Sequence, residues 1–190
     1  MDVLCFAYGS NLCFPRLRAR VPGVWTLGPA FLRGHELRWH KRGTDGSGKC
    51  SIVNVGRDAI VHGALFAIPK TEESALDRAE GSGYTDIPVF VESTQGDVTA
   101  KTYVAVESAI DDTRRPYSWY KALVVSGAES LGLLHAYVET LRVVDAVDDP
   151  DAERVRRHRA FLPCGGWGKV WETVSSGGLI EVPPALIALS

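Results

Sequence analysis

Two short stretches of this 190-residue chain hold residues that could do chemistry. The first is Leu76-Asp77-Arg78-Ala79-Glu80-Gly81-Ser82-Gly83-Tyr84. Its spacing puts Glu80 at the C-terminal end of a helix over about 72–80, which Gly81-Ser82-Gly83 stops. A carboxylate there meets the negative end of the helix dipole, which raises its pKa. General acid/base work near neutral pH requires such a shift. The second is Tyr8-Gly9-Ser10-Asn11-Leu12, a turn cluster that stops the apolar run of residues 3–8. Small residues there let successive backbone N–H groups turn to one side and form a nest for an anionic oxygen. Each stretch has an ordinary reading as well: a surface glutamate, and a Gly-Ser-Asn turn.

Other candidate chemistries fail on their residues. Gly43-Thr44-Asp45-Gly46-Ser47-Gly48-Lys49-Cys50 nearly spells a phosphate-binding P-loop, but Cys50 stands where Ser or Thr must hold magnesium. The following Ser51-Ile52-Val53-Asn54-Val55 prefers a strand to the helix that motif needs, so residues 40–50 read as an exposed loop or hairpin tip. Arg154, Arg156, Arg157, Arg159 and His158 form a basic run behind Asp148, Asp149, Asp151 and Glu153. Acids at a helix start and bases at its end suit the dipole without any partner. The five histidines show no HExxH or other ligand spacing, and His62 reads as structural. Ser10 lacks the G-x-S-x-G setting of a hydrolase elbow. The four cysteines (5, 13, 50 and 164) form no CxxC pair and no zinc set, and read as reduced thiols in a cytoplasmic protein. No metal or cofactor is expected.

The elements that must position these stretches follow from periodicity. Strands are expected at 3–8, in two pieces at 24–28 and 35–39 broken by Gly28-Pro29 and Gly34, and then at 51–55, 60–68, 87–93 and 98–106. Thr71 is the expected N-cap of the helix before Glu80, and Gln95-Gly96-Asp97 the turn between the last two strands. Residues 14–20 read as a turn or two of helix, with Pro15 allowed near its start. Helices are expected at 117–125 and 129–142, separated by Ser126-Gly127-Ala128, and a short polar one from Asp149-Pro150-Asp151 to about Arg159. The sum is α+β: a mostly antiparallel β-sheet with packed helices and an irregular C-terminal extension. Residues 1–150 are expected to form the main domain, with 151–190 packed on it.

Composition limits the function classes. Hydrophobic residues make up 45% and charged residues 23%, with 21 Lys plus Arg against 23 Asp plus Glu and a net charge of -2. That balance argues against a chain whose main task is holding nucleic acid or an anionic membrane. No apolar run approaches a membrane span, and the N-terminus, with an acid at Asp2, does not read as a signal peptide.

Three motifs in order resemble the γ-glutamylcyclotransferase family, including the AIG2-like proteins. Phe6-Ala7-Tyr8-Gly9-Ser10-Asn11-Leu12 is similar to the family's signature anion-binding loop. Leu76-Asp77, Glu80-Gly81 and Gly83-Tyr84 resemble the segment that carries its catalytic glutamate. Tyr120 within Pro116-Tyr117-Ser118-Trp119-Tyr120-Lys121, with Gly127-Ala128 and Gly132-Leu133 beyond, resembles its tyrosine-bearing helix. The match covers about residues 3–145. It implies a small β-barrel-like α+β fold of six or so strands, and a cyclisation in which the α-amine of a γ-glutamyl group attacks its own γ-carbonyl, releasing 5-oxoproline and a free amine. In that scheme Glu80 moves the protons. The backbone of Tyr8, Gly9, Ser10, Asn11 and Leu12 holds an anionic oxygen, Tyr120 donates to the substrate carboxylate, and Tyr84 lines the pocket. The expected partner is a small γ-glutamyl molecule, with neither nucleic acid nor membrane, and the expected state is monomer or homodimer. The leaving amine stays open: an amino acid, a peptide such as glutathione, a polyamine or lysine side chain, or a protected biosynthetic intermediate. A binding module that keeps a small acid without turning it over is the alternative.

Overall fold

The structure is a computed structural model and describes residues 2–56, 58–94 and 96–162. The expected extension beyond Leu162, with Cys164, lies outside the described residues, as does Gln95 of the expected turn.

The first strand, β1 (Asp2–Ala7), ends in the buried Cys5, Phe6 and Ala7. The next six are β2 (Trp25–Arg33), β3 (His35–Arg42), β4 (Gly48–Asn54), β5 (Ile60–Pro69), β6 (Tyr84–Ser93) and β7 (Val98–Ala105). β1 lies antiparallel to β5, from Asp2 opposite Pro69 to Ala7 opposite Ala64. β5 pairs with β2, β2 with β6, and β6 with β7, all antiparallel. A parallel bridge from Cys5 to Lys101 joins β7 back to β1 and closes a five-stranded barrel. β3 and β4 form a separate two-stranded hairpin. The α+β class and the barrel are thus as expected, with five strands closing rather than six. Closure leaves no open sheet edge within the barrel.

Five α-helices surround this frame: α1 (Phe14–Arg20), α2 (Glu73–Glu80), α3 (Ser118–Ser130), α4 (His135–Arg142) and α5 (Ala152–Arg159). Their apolar faces send Leu17, Leu76, Leu123, Val124 and Leu141 into the core that also holds Phe6, Phe66 and Val91. α5 begins where Asp151 accepts a hydrogen bond from the Arg154 amide at 2.9 Å, a side-chain N-cap. Just before it the buried Asp149 accepts from Trp119 Nε1 at 2.7 Å and Arg154 Nε at 2.6 Å, tying α5 to α3.

Four local expectations are corrected. β2 runs through Gly28-Pro29 because the register shifts by a bulge between Thr26 and Gly28, and Gly28 takes the φ of +110° that the bulge demands. α3 continues through Ser126-Gly127-Ala128 and the chain breaks later, around Gly132. Gly127 is there for close approach: a Cβ on it would lie 2.3 Å from the Leu12 carbonyl carbon and 2.4 Å from the Cys13 nitrogen. Thr71 is not a cap. Lys70–Glu72 form a 3-10 turn, and α2 starts at Glu73 without a side-chain cap. Finally, residues 40–50 form the turn of the β3–β4 hairpin, as expected, but only part of it is exposed. His40, Lys41, Ser47 and Cys50 are buried, because Asp45 gathers the Ser47 amide, Ser47 Oγ and Lys49 Nζ at 3.0, 2.9 and 2.7 Å and folds the loop inward.

Candidate functional site

β1 delivers the chain to a corner at Tyr8 and Gly9, after which Ser10–Leu12 make one 3-10 turn leading into α1. The turn is closed by the Leu12 amide on the Gly9 carbonyl at 2.9 Å and the Cys13 amide on the Ser10 carbonyl at 3.3 Å. The amides of Gly9, Ser10 and Asn11 have no acceptor among the described residues. Three consecutive amides at one corner are thus left without a protein partner among the described residues.

α2 supplies Glu80 as its last residue, and Gly81, at φ +74°, lets the chain leave in a conformation other residues rarely adopt. Glu80 Oε1 accepts from Asn11 Nδ2 and Arg20 Nη1, both at 2.9 Å, and Arg20 Nη1 also donates to Asn11 Oδ1 at 2.9 Å. The carboxylate is therefore held by one residue of the turn and one of α1. Its Oε2 has no donor among the described residues.

α3 and β6 supply two tyrosines that brace β4 at Cys50. Tyr120 Oη accepts from the Cys50 amide at 3.1 Å, and Tyr84 Oη donates to the Cys50 carbonyl at 2.7 Å. As the acceptor in that bond, the Tyr120 hydroxyl does not spend its proton on the Cys50 amide. Tyr8 donates to the Tyr103 carbonyl, and Tyr103 Oη donates to Asp77 Oδ1 at 2.7 Å.

These groups line one cleft between the first turn, β1, β7 and the tyrosines, with about 380 Å³ of space including the part open to solvent. Its lining contains Tyr8, Gly9, Ser10, Asn11, Glu80, Tyr84 and Tyr120, seven of the eight residues expected at the site. Leu12 is the exception. It is fully buried, its side chain faces a different, apolar cavity, and its amide is spent on Gly9. It shapes the turn and does not reach the cleft.

Glu80 is the only Asp, Glu or His in that lining among the described residues. Burial pushes the Tyr8, Tyr84 and Tyr120 phenols well above their ordinary range. Burial also pushes the thiols of Cys5 and Cys50 up to about 12, so both stay protonated and weakly nucleophilic near neutrality. No group of three or more His, Cys, Asp or Glu is placed to hold a metal among the described residues, and no helix among them is long and apolar enough to cross a membrane. His62 stands apart from the cleft, between Tyr137 and Phe31.

Arg20, Arg16, Lys41 and Cys50 are site residues that the sequence did not single out. Arg16 and Arg20 had a signal: spaced i, i+4 on a helix that follows the nest, they share a face. Lys41 and Cys50 had none, because nothing local says that the glycine-rich loop folds inward. Part of the basic run also faces inward: Arg154, Arg157 and His158 line a second cavity that shares Ser10, Glu80, Tyr84 and Tyr120 with the cleft.

Residues 60–141 match the AIG2-like family profile. The chain is similar to γ-glutamylcyclotransferase of Mus musculus, 29% identical over 157 residues covering 75% of this chain and 78% of the relative. It is similar to the Homo sapiens protein of that name at 28% over 160 residues, covering 76% and 80%. Among solved structures, one described as a γ-glutamyl cyclotransferase superposes with a TM-score of 0.74 at 25% identity, covering 83% of this chain and 97% of the other.

Proposed function

We propose that the chain cyclises a γ-glutamyl substrate to 5-oxoproline, because it resembles the γ-glutamylcyclotransferase and AIG2-like family in sequence and fold. The observation that carries this reading is the cleft itself, where one carboxylate, three free amides and a tyrosine hydroxyl converge. In this reading the α-carboxylate of the glutamyl group takes the Tyr120 hydroxyl proton as a hydrogen bond. Glu80 accepts a proton from the α-ammonium, and the freed amine attacks the γ-carbonyl carbon of the same molecule. One C–N bond forms as the ring closes, and the carbonyl oxygen becomes an oxyanion facing the amides of Gly9, Ser10 and Asn11. When the oxyanion collapses, Glu80 gives its proton to the leaving nitrogen as the C–N bond to it breaks. Glu80 then takes the second hydrogen from the ring nitrogen, which leaves the neutral lactam, and passes that proton to the released amine, which departs as an ammonium.

The chemistry demands little beyond this. Nucleophile and electrophile share one molecule, so proximity already supplies much of the rate. What remains is a proton carrier in reach of two nitrogens. Glu80 suits that task because its orientation is set by Asn11 and Arg20 through Oε1 alone.

The test is incubation of the purified chain with a γ-glutamyl dipeptide and measurement of 5-oxoproline. Release that depends on enzyme supports the reading. A dipeptide that binds and is returned intact would make the chain a binding module instead.

A further inference from the structure

The second cavity is larger than the cleft it adjoins, with about 1210 Å³ of space including the part open to solvent, and its wall is cationic. Seven basic side chains line it against two carboxylates, Asp45 and Glu80. Three of the seven are answered within the protein: Arg20 by Glu80, Lys49 by Asp45, and Arg154 by Asp149 and Asp151. Arg78 and Arg157 are exposed, and water can solvate them. Arg16 and Lys41 are different. Lys41 is buried, and its Nζ lies 4.6 Å above the Tyr84 ring. Arg16 is half-buried, with Nη1 bonded to His158 Nδ1 at 3.0 Å and Nε enclosed without any acceptor. Neither cation has a carboxylate within 4.0 Å among the described residues.

Removing a cation from water without supplying an anion is costly. The strain is visible in both groups: burial pulls the Arg16 guanidinium down to about 10 and lowers the Lys41 ammonium as well. The partner of Arg16 is a neutral acceptor, since burial and the adjacent Arg16 bring His158 down to about 4. The imidazole is itself clamped on Trp119, with ring centroids 3.9 Å apart. A protein keeps two such cations facing one cavity where an incoming ligand brings the counter-charge.

In the cyclisation reading the inner cleft already provides for the glutamyl carboxylate through Tyr120 and for the oxyanion through the free amides. Charge bound in the outer cavity therefore belongs to the other end of the substrate. We propose that this cavity receives a leaving amine carrying two negative charges, such as a dicarboxylic amino acid, with Arg16 and Lys41 as its counter-ions. The assignment rests on the cyclisation proposed above and names which of the open substrate classes the site selects. Polyamines and lysine side chains are disfavoured, because they would add positive charge to a wall that lacks anions.

The experiment compares four γ-glutamyl amides that differ in the charge of the leaving group: aspartate, alanine, ethylamine and putrescine. Each charged hydrogen bond lost should lower kcat/KM by about tenfold or more, so the expected order is aspartate, alanine, ethylamine, putrescine. Raising the salt concentration should compress the order. R16Q and K41M, each checked for folding by circular dichroism, should reduce the aspartate-over-alanine preference to about threefold or less. Equal kcat/KM for the aspartate and ethylamine derivatives overturns the charge assignment while leaving cyclisation intact. Calorimetric titration with the same four compounds separates the opposite failure. If none releases 5-oxoproline but γ-glutamyl-aspartate binds tightest, and loses that advantage in R16Q, the anion site stands and the cyclisation reading falls. Equal affinities for all four overturn the site.

Discussion

Replacing Glu80 by glutamine removes one function and spares the rest. Both donors to Glu80, Asn11 Nδ2 and Arg20 Nη1, meet the same oxygen. A glutamine Oε1 can accept both, with its amide nitrogen in the place of Oε2. What is lost in stability is the charge of the pair with Arg20. The two side chains keep only 14% and 22% of their exposure, but a glutamine keeps both hydrogen bonds in neutral form, so the loss is the difference between a charged and a neutral hydrogen bond, about 1 kcal/mol. What is lost in rate is the proton carrier, and positioned acid/base catalysis supplies about 10²–10⁴, or roughly 3–5 kcal/mol of activation free energy. The catalytic loss exceeds the folding loss several-fold, so Glu80→Gln should fold, bind substrate with a near-normal KM, and turn over at least about a hundredfold more slowly. The assay is 5-oxoproline release under steady-state conditions, with urea unfolding of the same preparation. A kcat within about threefold of wild type removes Glu80 from the mechanism. A collapse of both kcat and stability would show instead that the residue is structural.

Tyr120→Phe should raise KM about tenfold by removing a hydrogen bond to a charged carboxylate; it should also cost about 1–3 kcal/mol of stability by stranding the buried Cys50 amide, read by chemical denaturation, and a collapsed kcat at unchanged KM would make the hydroxyl a proton donor instead. Gly127→Ala forces a methyl against the backbone of Leu12 and Cys13. The overpacking should cost about 1–3 kcal/mol and raise KM as the turn is displaced, and an unchanged denaturation midpoint would contradict that packing. His158 releases its proton at about 4 when folded and near 6.5 when unfolded. The unfolded chain therefore binds the extra proton between those values, and stability falls as pH drops from about 6.5 toward 4. His158→Phe, which can keep the stack on Trp119, should shrink the difference in melting temperature between pH 7 and pH 5, and an undiminished difference would exclude His158 as its source.

Strands and helices were legible where side chains declare their own burial. Apolar runs such as 3–8 and 60–68, and the glycines that stop Glu80's helix, are local signals, and the elements they predict stand in the structure. The turn after β1 was legible for the same reason, because Gly9-Ser10-Asn11 declares it locally, although Leu12 proves to be its buried anchor. Glycine misled wherever its purpose was contact. Gly127 reads as a helix break in one dimension, yet it sits inside α3 because the backbone of Leu12 and Cys13 passes against it. Lys41 and Cys50 could not be identified, because the ends of β3 and β4 that carry them are set against the site only when Asp45 closes on Lys49 and α3 brings Tyr120 against β4. By itself the sequence determined the α+β class, the turn after the first strand and the glutamate at a helix end, since each depends on neighbours in the chain. The tertiary structure alone decided that Arg20 would hold that glutamate and that Arg16 and Lys41 would face one cavity unpaired. Charge balance at a site is a sum over residues from distant elements, and it exists only once the barrel has closed.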